Sequence, residues 1–120
     1  MKVDSLKILF MGTSQFAVPS LEVLAGSPHR LIGVVSQPDR PRGRGRRLQP
    51  TPVKEAALCH GVSVMQFERI RDEQAVQGIK ELMPDLIVVV SYGQILPAAL
   101  LKVPKWGCIN VHASLLPEYR

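Results

Sequence analysis

Residues Leu86-Ile87-Val88-Val89-Val90 form an unbroken run of apolar side chains, closed by Ser91 and then by Gly93. Side chains alternate between the two faces of a strand, so a run apolar at every position needs cover on both faces. That is the situation of a strand inside a parallel sheet with helices on either side. The same grammar recurs at Lys7–Met11, which stops at Gly12, and at Leu31–Ser36, which stops before a Pro- and Arg-rich stretch. Shorter runs at Val62–Gln66 and Cys108–Val111 complete a set of five expected strands.

Helical spacing fills the intervals. Phe16 to Leu24 is expected as a helix, with Pro19 in its first turn and Thr13 and Ser14 available as caps. Thr51-Pro52 has the form of an N-cap followed by a first helical residue, opening a helix to about His60 with Gly61 as its stop. Asp72–Met83 is expected as a helix closed by Pro84, and Pro97–Val103 as a short one. Gln37–Pro50 is expected as a long loop. Strand-helix alternation predicts an α/β fold, a doubly wound parallel sheet in the order 3-2-1-4-5. At 120 residues the chain holds one domain. Ligands of such sheets bind at the carboxyl ends of the strands, which directs attention to Gly12–Ser14, Ser91–Leu96 and His112–Arg120.

No window approaches the roughly 20 apolar residues of a membrane span, and the N-terminus has no signal-peptide core; a cytoplasmic protein is expected. Cys59 and Cys108 stand far apart, outside C-x-x-C or metal-ligand spacing, and read as reduced thiols; no metal is expected. His29 and His60 read as surface residues without a role. The net charge is +5, yet five arginines and no acid fall within Arg40–Arg47; elsewhere ten basic residues balance ten acidic ones. The excess is therefore local, and a local basic block suits a polyanion.

Candidate chemistry follows from the strand ends. Gly12-Thr13-Ser14 sits where a phosphate cradle would, but neither G-x-G-x-x-G nor G-K-S is present, so a tight turn and cap explain it. Asn110 and His112, two apart on the last strand, would emerge on one face. An amide can donate to a developing oxyanion and an imidazole can carry a proton, a pairing that suits acyl transfer to an amine. Alone, the pair reads equally as a polar strand end. Gly93 allows a sharp turn, and Tyr92, Ile95 and Leu96 could line an apolar slot for a flat heterocycle, or could be core beneath the next helix. Arg40, Arg42, Arg44, Arg46 and Arg47 carry planar forks suited to phosphate. With no aromatic among them, they suit gripping a backbone more than reading bases.

Four segments taken in order, Phe10-Met-Gly-Thr13, Gln37-Pro-Asp-Arg-Pro-Arg-Gly-Arg-Gly45, Val90-Ser-Tyr-Gly-Gln-Ile-Leu-Pro97 and Gly107-Cys-Ile-Asn-Val-His-Ala-Ser-Leu-Leu-Pro117, resemble the methionyl-tRNA formyltransferases. The resemblance covers essentially the whole chain. Asn-x-His followed by Ser-Leu-Leu-Pro is shared across the formyltetrahydrofolate-dependent transferases, and the Pro-Asp-Arg-Pro…Gly-Arg-Gly stretch narrows the likeness. It implies a Rossmann-like catalytic domain, of which residues 1–120 are the N-terminal portion, truncated before its end, without the C-terminal tRNA-binding barrel. It implies transfer of a formyl group from 10-formyltetrahydrofolate, as co-substrate, to the amine of initiator methionyl-tRNA. By that resemblance Asn110 and His112 are catalytic, and Tyr92, Gly93, Gln94, Ile95, Leu96, Ser114, Leu115, Leu116 and Pro117 flank the folate. Arg40, Arg42, Arg44, Arg46 and Arg47 hold tRNA. The family's aspartate partner of the histidine lies beyond Arg120, so this stretch alone is expected to be inactive. Purine-pathway and sugar-nucleotide formyltransferases share Asn-x-His but have no use for the arginines. A non-catalytic RNA-binding module would leave Asn110 and His112 unexplained.

Overall fold

The computed structural model describes residues 5–111, with the backbone alone at Arg42. Five parallel strands form one sheet: β1 (Lys7–Gly12), β2 (Arg30–Ser36), β5 (Val64–Gln66), β6 (Leu86–Val90) and β7 (Cys108–Val111). Their spatial order is β5-β2-β1-β6-β7. Counted within this sheet alone, that is 3-2-1-4-5, as the apolar pattern predicts. The helices are α1 (Val18–Ala25), α2 (Pro52–Cys59), α3 (Glu73–Leu82) and the one-turn α4 (Ala98–Leu101).

Alternation along β1 divides the core. Leu9 and Met11 point to the face covered by α3 and α4, where Ile79, Ala75 and Leu100 meet Ile87 and Val89. Ile8 and Phe10 point to the face covered by α1 and α2, against Leu21, Val53, Ala57 and Val88. Phe10, Leu9, Met11 and Leu21 are fully buried, each contributing about 1.5–3 kcal/mol by leaving water. Gly12 lets β1 end against its neighbours. A Cβ there would lie 2.8 Å from the Val90 carbonyl oxygen and 2.9 Å from the Ala17 Cβ.

Three local expectations need correction. The stretch 37–50 is not a structureless loop. It carries a small antiparallel ribbon, β3 (Arg40–Arg42) against β4 (Arg47–Gln49), closed by a 3-10 turn over Arg44–Arg46. Gly43 and Gly45, at φ +67° and +80°, make the reversal, a conformation glycine adopts without a Cβ penalty. Ser14 does precede the helical segment, but its side chain caps nothing, and a 3-10 turn (Gln15–Ala17) intervenes before α1. Phe16 therefore falls outside the regular helix and is 68% exposed. Thr51 behaves as expected: its Oγ1 accepts from the Lys54 N–H at 3.0 Å, and Pro52 opens α2.

Among the described residues β7 is one of the sheet's two edges. Ile109 and Val111 face the α1–α2 side in register with Val88 and Val90, yet stay 48% and 41% exposed.

Candidate active-site edge and basic ribbon

Because β1, β2 and β6 run parallel to one another and to β7, the segments that follow β1, β2 and β6 gather at one end of the sheet, beside the carboxyl end of β7. They are joined by polar side chains. The Thr13 hydroxyl donates to the Tyr92 carbonyl at 2.6 Å and accepts from the Gln37 N–H at 3.3 Å. The Ser14 and Ser91 hydroxyls meet at 2.6 Å, and the Thr13 N–H donates to the Ser91 carbonyl at 3.0 Å. Thr13 and Ser14 thus tie three loops together rather than capping a helix or cradling a phosphate.

The segment after β6 divides by residue. Tyr92 turns into the core and is 2% exposed. Its hydroxyl has no hydrogen-bond partner among the described residues, and burial pushes its pKa up to about 12. Gly93 holds φ +106°, and a Cβ there would sit 2.7 Å from the Gln37 Nε2. Only glycine fits both constraints. The Gln94 amide is fully engaged within the protein. Its Oε1 accepts from the Ile70 N–H at 2.8 Å, while its Nε2 donates to the Gln37 Oε1 at 2.8 Å and to the Glu68 carbonyl at 2.9 Å. Ile95 is 92% exposed, and Leu96 packs on the core.

An open cleft of about 470 Å³ lies between this segment and β7, lined by Val89, Ser91 to Ile95, Asn110 and Val111. Asn110 stands in register with Val89 and is exposed. The structure therefore brings Asn110, Tyr92, Gly93, Gln94 and Ile95 to one cleft. Leu96 is not among its lining residues. His112, Ser114, Leu115, Leu116 and Pro117 lie outside the described residues. A larger cleft of about 900 Å³ between α3 and α4, lined by Gln74, Gly78 and Ala99 among others, touches none of the candidate residues. Size alone does not mark the chemistry here.

The basic ribbon rises beside this edge. Its root is clamped by Asp39, which takes hydrogen bonds from the Gln66 Nε2 at 2.7 Å and from the Lys54 Nζ at 3.2 Å. These bonds, Gln66 first and Lys54 second, hold the Asp39 carboxyl below its ordinary pKa. Gln66 also donates to the Gln37 carbonyl at 3.0 Å, and Lys54 to the Gln66 Oε1 at 3.1 Å. Beyond the root, Arg40 reaches Glu68 only at 3.8 Å with both side chains well exposed, a pair worth little in water. Arg44, Arg46 and Arg47 are exposed and have no acidic partner among the described residues. The backbone sets Arg42 in register with Arg47. A third cleft, about 500 Å³, lies at the ribbon's foot among Ser14, Gln15, Arg40 and Gln49.

Sequence reasoning missed the clamp and the Gln37–Gln94 pair. Lys54, Gln66 and Gln94 are ordinary polar residues in their local windows, and only the folded sheet makes them neighbours. The two other histidines make local contacts: the His29 Nδ1 accepts from the Leu6 N–H at 3.0 Å, and the His60 Nε2 meets the Glu22 Oε1 at 2.6 Å. Both cysteines are free. Among the described residues no group of three His, Cys, Asp or Glu is placed to share a metal ion. No helix among them is long and apolar enough to cross a membrane.

The formyl transferase family matches residues 6–120. Curated relatives named methionyl-tRNA formyltransferase are 58% identical in Alkaliphilus oremlandii over 96% of this chain and 56% identical in Pelobacter propionicus over 98%. The chain spans 37% of the length of each. A phosphoribosylglycinamide formyltransferase structure from Streptococcus pneumoniae superposes with a TM-score of 0.64 at 22% identity, covering 94% of this chain and 59% of that one; it shows the shared fold. With the family matched over residues 6–120 and more than half of the aligned residues identical in these relatives, the chain belongs to the formyl transferase family.

Proposed function

We propose that this chain supplies the donor-side loop, the oxyanion donor and the nucleic-acid ribbon of an enzyme that moves a formyl group from 10-formyltetrahydrofolate to the amine of initiator methionyl-tRNA, in the cytoplasm. Residues 1–120 are then the N-terminal part of its catalytic domain, and a C-terminal barrel that helps hold tRNA comes from chain beyond them. The observation that carries this reading is a juxtaposition. Asn110 opens into the same cleft as the Tyr92–Ile95 segment, and an arginine ribbon whose Arg44, Arg46 and Arg47 have no acidic partner among the described residues is fastened to that segment through Gln37.

In this reading the amine attacks the formyl carbon, and the carbonyl oxygen gains negative charge. The Asn110 amide donates to it, a contribution of roughly 3–4 kcal/mol where single donors have been removed from such sites. His112, two residues on, takes the amine's proton, and as the intermediate collapses the bond from the formyl carbon to the folate N10 breaks and N10 takes up a proton, releasing tetrahydrofolate. The cleft lies within the usual range for small-molecule sites, about 300–1,000 Å³, and accepts one ring system between Gly93, Ile95 and Asn110. Tyr92, Gln94 and Leu96 shape that wall from behind. Ser114 to Pro117 would close its far side. Arg40, Arg42, Arg44, Arg46 and Arg47 grip phosphates of the acceptor arm, positioning the amine without reading bases.

The test is a choice of acceptors. In a full-length protein carrying this chain, labelled formyl from 10-formyltetrahydrofolate should enter initiator methionyl-tRNA and not glycinamide ribonucleotide. The opposite preference overturns the reading.

A further inference from the structure

We infer that the Gln37–Gln94 amide pair couples the two substrate sites, so that tRNA on the ribbon tightens folate binding in the cleft and folate tightens tRNA. This rests on the substrate assignment above. Gln94 lies on the donor-side segment, but its carbonyl oxygen and amino group are both taken by protein partners. An amide so engaged has little capacity left for a ligand, so Gln94 is a positioning residue rather than a folate contact. Its three partners belong to two other segments. The Ile70 N–H and Glu68 carbonyl follow β5, and the Gln37 Oε1 sits where β2 turns into the ribbon.

Two routes run from the ribbon's root to the donor-side segment, one through this pair and one through Thr13. The Gln37 carbonyl accepts from Gln66, which also holds Asp39. The Gln37 N–H is held by Thr13, whose hydroxyl holds the Tyr92 carbonyl. Gly93 leaves just enough room for the Gln37 side chain to pass. At the ribbon's base Arg40 faces Glu68 at 3.8 Å, and the Glu68 carbonyl is one of the two acceptors of Gln94. Phosphate arriving at Arg40 competes with Glu68 and loads this joint. A ribbon fixed by tRNA therefore fixes Gln37, Gln94 and the segment Ser91–Leu96. The folate then meets a wall already ordered, which is positive cooperativity, and linkage makes the effect reciprocal.

The measurement is the dissociation constant of tetrahydrofolate, the deformylated donor, with and without saturating uncharged initiator tRNA, so that no chemistry intervenes. The full-length protein is used. Wild type should show tightening of about fivefold or more, the usual range of such couplings. Gln37→Met, which removes the acceptor of the Gln94 amino group but leaves the Thr13 link in place, should cut the ratio by about half or more while each ligand alone binds within about threefold of wild type. Gln37→Glu keeps an oxygen at that position and should retain most of the ratio. Gln94→Met is the reciprocal variant; if it loses folding stability, the Gln37 pair still decides the question. Binding of both ligands to wild type with a ratio near one, or an undiminished ratio in Gln37→Met, overturns the coupling and leaves the substrate assignment standing. Failure of wild type to bind either ligand overturns both.

Discussion

Tyr92 shows how a single side chain can look like a ligand contact and serve as core. Its ring fills the α3–α4 side of the sheet, and its hydroxyl is desolvated without a partner among the described residues. Such a group costs about 1–3 kcal/mol. Tyr92→Phe should therefore raise the melting temperature; a clear drop would show that the hydroxyl is bonded. Burial also lifts the phenol from 10.0 to about 12. The fold favours the neutral form, so this stabilisation is complete below pH 10.0 and disappears as pH rises through the folded value. Tyr92→Phe should lose that alkaline step in urea unfolding. Asp39 has the opposite sign. Gln66 and Lys54 lower its pKa from 3.8, so its contribution is present above 3.8 and is lost as pH falls through the lower folded value. The stability gap between wild type and Asp39→Asn should be flat near neutrality and close in acid. A gap that does not change with pH would mean that the ionised carboxylate is not what clamps the ribbon. For Tyr92 the sequence leaves a core role and a ligand wall as alternatives, and the clamp is not visible in it at all, because the partners of Asp39 are 15 and 27 positions away.

The elements divide the same way. Central strands were readable because burial on both faces leaves continuous apolar runs, as in Leu86–Val90, and α2 because Thr51-Pro52 states its own start. The ribbon was not. Alternation, the usual mark of a two-stranded piece, is here reduced to one apolar residue per three-residue strand, Pro41 opposite Leu48, too short a signal to read among the arginines. Its pairing is held by the root clamp instead of by a buried face. As an isolated charged element it should act on nucleic acid through phosphate. Changing Arg44, Arg46 and Arg47 to Ala should weaken tRNA binding and flatten the log K against log salt slope by roughly 0.7–0.9 for each lost contact. Tetrahydrofolate binding measured without tRNA should barely move, and an unchanged salt slope would refute the phosphate role. β7 poses a different question. An open edge carrying exposed Ile109 and Val111 offers both unpaired backbone and apolar surface to another chain. Residues 1–120 alone should self-associate with concentration in sedimentation, and Val111→Lys should reduce it. A monomer at all concentrations would contradict this.

Across the whole molecule, strand order and the end of the sheet that gathers the loops were both accessible from sequence, since right-handed βαβ packing leaves few alternatives. What was not accessible is that the two candidate sites share one polar framework. It runs from Asp39 through Gln66 and Gln37 to Gln94, and its members are scattered along the chain. The chain spans 37% of its relatives' length, and Asn110 stands on β7, an edge strand among the described residues. Residues 1–120 alone should therefore show no formyl transfer above background, because a substrate held on one side only is poorly positioned. The most direct test uses a full-length protein carrying this chain, made where needed by joining it to the remainder of the Alkaliphilus oremlandii relative. Labelled formyl incorporation into initiator methionyl-tRNA is measured for wild type and Asn110→Ala. The expected result is a kcat lower by about 10²–10³ with KM for tRNA little changed. A near-normal kcat in Asn110→Ala would contradict the assignment of this strand end as the oxyanion site.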